Sequence, residues 1–215
     1  MISVATLARV DFSGAGASSS SDRMTARQFK IISGGQTGAD RAALDAALAA
    51  GVPCGGSCPK GRRAEDGPIP DRYPMAELSD SAYPPRTRRN VADSDGTLIL
   101  SFGPPDRGTA LTLRCCVSER KPVLVVDAST TPVETALEEL AAFVARHRIA
   151  TLNVAGPRAS KQPRVYDFVR RLVGSFLAML PVPRDLPATK PEDRPMGPET
   201  IEKLEERIER LSPRS

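Results

Sequence analysis

Three glycine-bearing turns and one basic loop carry most of the chemistry this chain could perform. The first turn is Ser33-Gly34-Gly35-Gln36-Thr37-Gly38-Ala39-Asp40. It joins an apolar run (Phe29, Ile31, Ile32) to an alanine- and leucine-rich stretch ending at Gly51. Adjacent glycines open backbone angles closed to other residues and let another group approach the main chain. The helix start behind them offers unpaired N–H groups and the positive end of a dipole. Strand, glycine turn and helix make a seat for phosphate or another oxyanion; a bare strand-to-helix turn is the plainer reading. Asp40 follows Thr37 at capping-box spacing, so it can serve the helix end itself. Its charge competes with an anion there, so the site needs further cations or a ligand that also donates.

The cations come in the polar string CPKGRRAEDGPIPDRYP, as Lys60, Arg62 and Arg63. Arginine presents a planar fork matched to phosphate-like oxygens, and lysine a point charge. A solvated charge cluster would have the same composition. Glu65 and Asp66 follow directly, placed to pair with those arginines or to accept from the amino groups of a pterin or purine. Ser101 ends another apolar run, and Gly108-Thr109 opens the next helix as a second anion seat. Gly156 and Arg158, with Ser160, form the third turn. The expectation is one pocket that gathers Gly34, Gly35, Gln36, Thr37, Gly38, Asp40, Lys60, Arg62, Arg63, Glu65, Asp66, Ser101, Gly108, Thr109, Gly156 and Arg158.

Other reactive types lead nowhere comparable. His147 is the only histidine and lies between arginines at a helix end, where the dipole favours a cation. No Ser-His-Asp or Cys-His set can be assembled around it. Cys54, Cys58, Cys115 and Cys116 fit neither usual zinc spacing nor a secreted disulfide framework. Reduced thiols in the cytoplasm are expected. Cys58 lies near basic residues that favour thiolate, although a plain buried cysteine is the simpler reading. No catalytic residue and no metal ligand is assigned.

The elements that must position these turns alternate. A second short strand runs from Gly51 to the glycine pair Gly55-Gly56 and precedes the long polar loop. A helix around Arg86–Asp93 leads to a strand over Gly96–Phe102, whose Thr97-Leu98-Ile99-Leu100 run suits burial on both faces. A helix follows through Gly108-Thr109, then the apolar strand PVLVVD, then a helix led by Pro132 with Val133, Leu137, Leu140 and Val144 on one stripe. IATLNVAG is a fifth strand, and a last helix spans about Ser160 to Leu180. This order predicts an α/β fold: a doubly wound, mostly parallel sheet of about five strands with helices on both faces. Ligands then bind beyond the carboxyl ends of the strands, where all three turns fall.

At 215 residues the chain suits one domain with appendages. We expect a disordered extension over 1–27 without a secretory signal, a ligand-binding domain over 28–180, and a proline-rich linker over 181–197. An amphipathic helix over 198–215 completes the chain, with Ile201, Leu204, Ile208 and Leu211 on one stripe. A net charge of +4 favours an anionic partner, but aromatic content of 4% disfavours a stacking platform for nucleic acid. No apolar run approaches the roughly eighteen residues of a membrane span.

Three strings are more specific than composition: SGGQTGADRAALDAA, CPKGRRAEDGPIPDRYP and LNVAGPRAS. Together, from about Lys30 to Ala178, they resemble the molybdenum cofactor carrier protein family. The resemblance implies a Rossmann-like fold of the group that includes the lysine-decarboxylase-like phosphoribohydrolases. It also implies a homo-oligomer (dimer or tetramer), a small anionic ligand of the molybdenum cofactor (molybdopterin) type, and a molybdoenzyme as recipient. Two positions depart from the pattern: Ser57 stands where members often carry a bulky aromatic, and Arg107 where a glycine commonly precedes the Gly-Thr pair. The related phosphoribohydrolases use a GGxGTxxE string with a catalytic glutamate. Counting from Gly108-Thr109, that position is Thr112 here, which disfavours nucleoside monophosphate hydrolysis. The leading expectation is a carrier or storage protein; the alternatives are such a hydrolase or a nucleotide-sensing module that recruits a partner through its C-terminal helix.

Overall fold

The computed structural model describes residues 29–103 and 107–180. All belong to the first of the chain's two units, Met1–Pro181. The expected extension (1–27), linker (181–197) and C-terminal helix (198–215) lie outside the described residues. In chain order the elements are β1 (Lys30–Ile32), α1 (Ala39–Ala49), β2 (Cys54–Cys58), a 3-10 turn (Lys60–Arg62), β3 (Arg63–Ala64), β4 (Gly67–Pro68) and β5 (Met75–Glu77). They continue with α2 (Tyr83–Ala92), β6 (Gly96–Ser101), α3 (Arg107–Ser118), β7 (Val123–Asp127), α4 (Val133–His147), β8 (Thr151–Ala155) and α5 (Val165–Met179).

Six strands form one sheet in the order β5-β2-β1-β8-β6-β7, and every pairing in it is parallel. The last strand, β8, inserts between β1 and β6, so strand order reverses there. That reversal opens a crevice beyond the carboxyl ends of the strands. The fold is the expected Rossmann-like α/β class, with one strand more than the sequence implied. The addition is β5, inside the long loop, where Met75, Ala76 and Glu77 pair with Gly56, Ser57 and Cys58. Three residues among prolines carry no periodic signal. β3 and β4 make a separate antiparallel hairpin in the same loop.

The two faces of the sheet differ. On one, Ile31, Leu98, Leu100, Leu152 and Val154 pack under α1, α4 and α5 in the main core. The alanines of α1 (Ala39, Ala42, Ala43, Ala46, Ala47) let it lie close against α5. On the other, Asn153 Nδ2 donates to Thr97 Oγ1 at 3.2 Å, and only a small apolar group (Val91, Cys115, Cys116) joins α2 and α3. Asn90 of α2 fixes that helix to Ser57, accepting its N–H at 2.7 Å and donating to its carbonyl at 3.1 Å. Buried polar groups must find partners. Here they find one another in a layer that leads to the crevice.

Three local expectations are corrected. Gly55-Gly56 does not close β2 but lies within it; a Cβ on Gly56 would sit 2.1 Å from the Ser33 carbonyl oxygen, so β1 and β2 meet there without side chains. β7 is apolar from Val123 to Val126, a run that suits burial on both faces, yet among the described residues it is the edge of the sheet, with Val125 42% exposed. The last helix starts at Val165 rather than near Ser160, because Lys161 and Gln162 both donate backbone N–H groups to the Arg158 carbonyl in a turn.

Candidate functional site

The crevice holds a cavity of about 210 Å³. Of the expected set it is lined by Gln36 and Asp40 after β1, Gly108 and Thr109 at the start of α3, and Gly156 and Arg158 after β8. Tyr83, Arg86 and Thr87 of α2, Leu111 and Thr112 of α3, Ala155 and Lys161 complete the wall. A recess of about 20 Å³, lined by Gly34, Asp40, Arg86, Asn90, Thr112 and Asn153 among others, adjoins it.

The remaining expected residues are elsewhere, each for a visible reason. Arg62 turns inward to its own loop: Nε donates to the Ile69 carbonyl, and Nη2 to those of Pro70 and Tyr73, all at 2.9 Å. Its backbone adopts φ 50° to do so. Lys60 and Arg63 are exposed on the same loop and do not line the cavity. Asp66 forms a two-pronged ion pair with Arg41, whose Nη2 lies 2.8 Å from Oδ1. Arg41 holds its carboxyl below the usual range, through hydrogen bonding first and charge second. Ser101 is buried, and its hydroxyl donates to the Val126 carbonyl at 3.4 Å. Gly35 receives the Ile69 side chain, which a Cβ would meet at 2.7 Å.

Glu65 joins three turns. Its carboxylate accepts the Thr37 and Ser160 hydroxyls and the Ser160 N–H at 3.1 Å, and Arg158 Nε lies 3.7 Å away. Burial alone would raise its pKa, but the hydrogen bonds from Ser160 and Thr37, with the Arg158 charge, hold it below the usual range. Gln36 completes the junction, its Oε1 accepting the N–H groups of Thr37 at 3.0 Å and Glu65 at 2.9 Å.

The first oxyanion seat is taken by the protein itself. The N-cap of α1 is Gly38, with no side-chain cap, and Ala39 donates to the Pro157 carbonyl at 3.2 Å. Gly38 has φ 78°, and a Cβ there would lie 2.6 Å from that same oxygen. The Thr37-to-Asp40 capping box does not form. Thr37 is engaged by Glu65 and by the Ala159 N–H at 3.2 Å, and Asp40 accepts from Gln36 N–H at 3.2 Å instead. What approaches Gly34 is Arg86: a Cβ would lie 1.3 Å from Nη1.

Arg86 Nη1 donates to Asp40 Oδ2 at 2.9 Å, and the two side chains are only 14% and 7% exposed. Burial pushes the Asp40 carboxyl above its ordinary value; the Arg86 charge and the Gln36 N–H oppose this without cancelling it. The Arg86 and Arg158 guanidinium carbons lie 5.7 and 5.9 Å from the centroid of the Tyr83 ring. Thr112 donates to the Gly108 carbonyl at 3.2 Å and lines the cavity, so no carboxylate stands at that position. Cys58 is fully buried and burial raises its thiol pKa, which agrees with the simpler reading of a plain buried cysteine rather than a thiolate. Among the described residues no cluster of His, Cys, Asp or Glu could hold a metal ion, and no helix is long and apolar enough to cross a membrane.

Arg86 and Tyr83 were missed by the sequence. The available signal was helical phase: Arg86 and Asn90 are four residues apart and share a face. A helix that buries Asn90 therefore turns Arg86 toward the sheet.

Parallel strands that reverse order over a cavity with several cations define a Rossmann-like α/β protein with a small-ligand crevice. The chain belongs to the circularly permutated YpsA SLOG family (cpYpsA), whose profile matches residues 31–177. It is also similar, at 47% identity, to a solved structure described as "Putative molybdenum carrier protein" from Syntrophus aciditrophicus SB. The match covers 69% of this chain and 94% of that one, with a TM-score of 0.68. The resemblance to the molybdenum carrier family read from the three strings is thereby supported. Comparison with curated proteins yields no match.

Proposed function

We propose that this protein binds a small oxyanionic ligand and carries molybdenum cofactor, held through its phosphate end or as a molybdate-like group. The observation that carries the reading is the cavity itself. Arg86, Arg158 and Lys161 surround it beside the first turn of α3, and the one carboxylate on its wall among the described residues, Asp40, is paired with Arg86. The dipole of α3 favours an anion by about 0.3–1 kcal/mol, more when partly buried. Hydrogen bonds from charged donors add about 1.5–3 kcal/mol each. After the loss of rigid-body freedom, micromolar to millimolar affinity follows.

Size refines the ligand. Pockets that enclose drug-sized molecules measure roughly 300–1,000 Å³. A cavity of about 210 Å³ suits one oxyanion group, with the rest of a pterin or nucleotide outside it. The family relative's description as a molybdenum carrier supports molybdenum as the cargo. A homo-oligomer and a molybdoenzyme recipient belong to the same reading; Val117 and Val125, exposed on α3 and β7, are candidate contact surface for a second copy.

Calorimetric titration with molybdate and with inorganic phosphate tests this. Wild type should bind both below about ten millimolar, and Arg158→Ala should weaken both by about tenfold. No binding of either anion removes the carrier reading. A hydrolase remains the second reading, because Asp40 places a carboxyl in the cavity although Thr112 does not. Release of free base from a nucleoside monophosphate, abolished in Asp40→Asn, would establish it.

A further inference from the structure

We infer that Arg86 grips the ligand through the side-on edge of its guanidinium, formed by Nε and Nη2, and that Asp40 is its positioning residue. The inference rests on the oxyanion-binding reading above and assigns the residue that gives the site its ligand class.

Arg86 reaches the cavity from α2 by crossing the bare main chain at Gly34. Its Nη1 is held by Asp40 at 2.9 Å, and Asp40 is held in turn by the Gln36 N–H. Among the described residues that is the only protein hydrogen bond Arg86 makes, and its Nε is buried with no acceptor. Native interiors seldom leave a buried donor unpaired, and a charged one least of all. The contrast with the other inward-turned arginines is direct. Arg62 has three carbonyl partners, and Arg41 has the Asp66 carboxylate and the Gly35 carbonyl. Neither lines the cavity.

The Nε and Nη2 hydrogens of a guanidinium lie parallel and match two oxygens of one oxyanion. Asn90, one turn further along α2, is bonded twice to Ser57 and fixes the helix from which Arg86 springs. The fork is therefore set before a ligand arrives, which reduces the ordering lost on binding. The ligand class is a tetrahedral oxyanion that offers two oxygens to one edge, either a phosphate monoester or a free inorganic anion. A lysine at position 86 would keep the charge and lose the fork.

The test is calorimetric titration of wild type, Arg86→Lys and Gly34→Ala with inorganic phosphate, molybdate and glycerol 3-phosphate. Arg86→Lys should weaken every probe that wild type binds by at least about tenfold. Gly34→Ala, which keeps the arginine but displaces it, should do the same. Tighter binding of glycerol 3-phosphate than of either inorganic anion identifies the ester as the natural source; the reverse identifies the free anion. Should the variants fail to fold, the Nε–H resonance of Arg86 in wild type decides: it should shift and exchange more slowly as phosphate is added. Binding by Arg86→Lys within about twofold of wild type, or an unmoved Nε–H signal at saturating phosphate, overturns the inference and leaves the anion site standing. Absence of binding by wild type overturns both.

Discussion

Arg62 and Arg86 lie on the same edge of the sheet and meet opposite fates. Arg62 stands in the most conspicuous basic string of the chain, and its donors are engaged by the carbonyls of Ile69, Pro70 and Tyr73. Around it the loop's charges are answered by α1 and by the loop itself: Arg41 of α1 pairs with Asp66, Asp45 of α1 with Arg72, and Gly61 N–H with Glu77. Arg86 stands in an unremarked helix, pairs through one nitrogen, and faces the cavity. The difference shows that charge in a sequence marks a binding residue only when its donors are not already answered by the chain. The loop's cations build the wall's support, while the cavity's cations are drawn from α2 and from the turn after β8.

The sharpest way to break this contrast is Arg62→Ala. It removes three charge-assisted bonds from a partly buried loop and should destabilise the protein by about 3 kcal/mol in urea unfolding. Anion affinity of the folded variant should not change. Loss of affinity with stability intact would move the binding role back to the loop. A smaller effect is expected from Glu65→Gln, which loses charge beside Arg158. Stability should fall by about 1 kcal/mol, while phosphate binds a few-fold more tightly because Arg158 no longer has a competing carboxylate.

Acid titration separates the two regions with the smallest change. Asp40 has a raised pKa, so it takes its proton first as pH falls, above the ordinary carboxylate range. Glu65 and Asp66 have lowered values, so the stability they contribute is present above that range and lost only as pH falls through their own lower pKa values. Sulfate, whose charge is constant here, should therefore bind up to a few-fold more tightly before stability declines. Titration by calorimetry alongside thermal melts checks the order; a simultaneous change would deny the distinction.

The sheet was legible where apolar runs admit one reading, as at Ile31-Ile32 and Thr97 to Leu100. β5 was not, since Met75–Glu77 has no pattern of its own and exists only through its register against β2. β7 has the composition of an interior strand, and nothing in its four apolar residues, Val123 to Val126, reveals that among the described residues no strand lies beyond them. In the site, Gln36, Asp40, Gly108, Thr109, Gly156 and Arg158 were legible because they follow strands or open helices at the ligand edge. Arg86 was not, because it comes from a helix that precedes a strand and enters across Gly34. The same glycine looked like room for a ligand. Sequence shows that Gly34 lacks a side chain; only the fold shows whose side chain uses the space.

Diffraction from crystals grown with molybdate, collected at the molybdenum absorption edge, tests the central claim most directly. The account predicts an anomalous peak in the cavity between Arg86, Arg158 and the first turn of α3, within hydrogen-bond reach of Arg86 Nε. A peak at the Lys60–Arg63 turn, or none in the cavity at a molybdate concentration that saturates calorimetric binding, would contradict it.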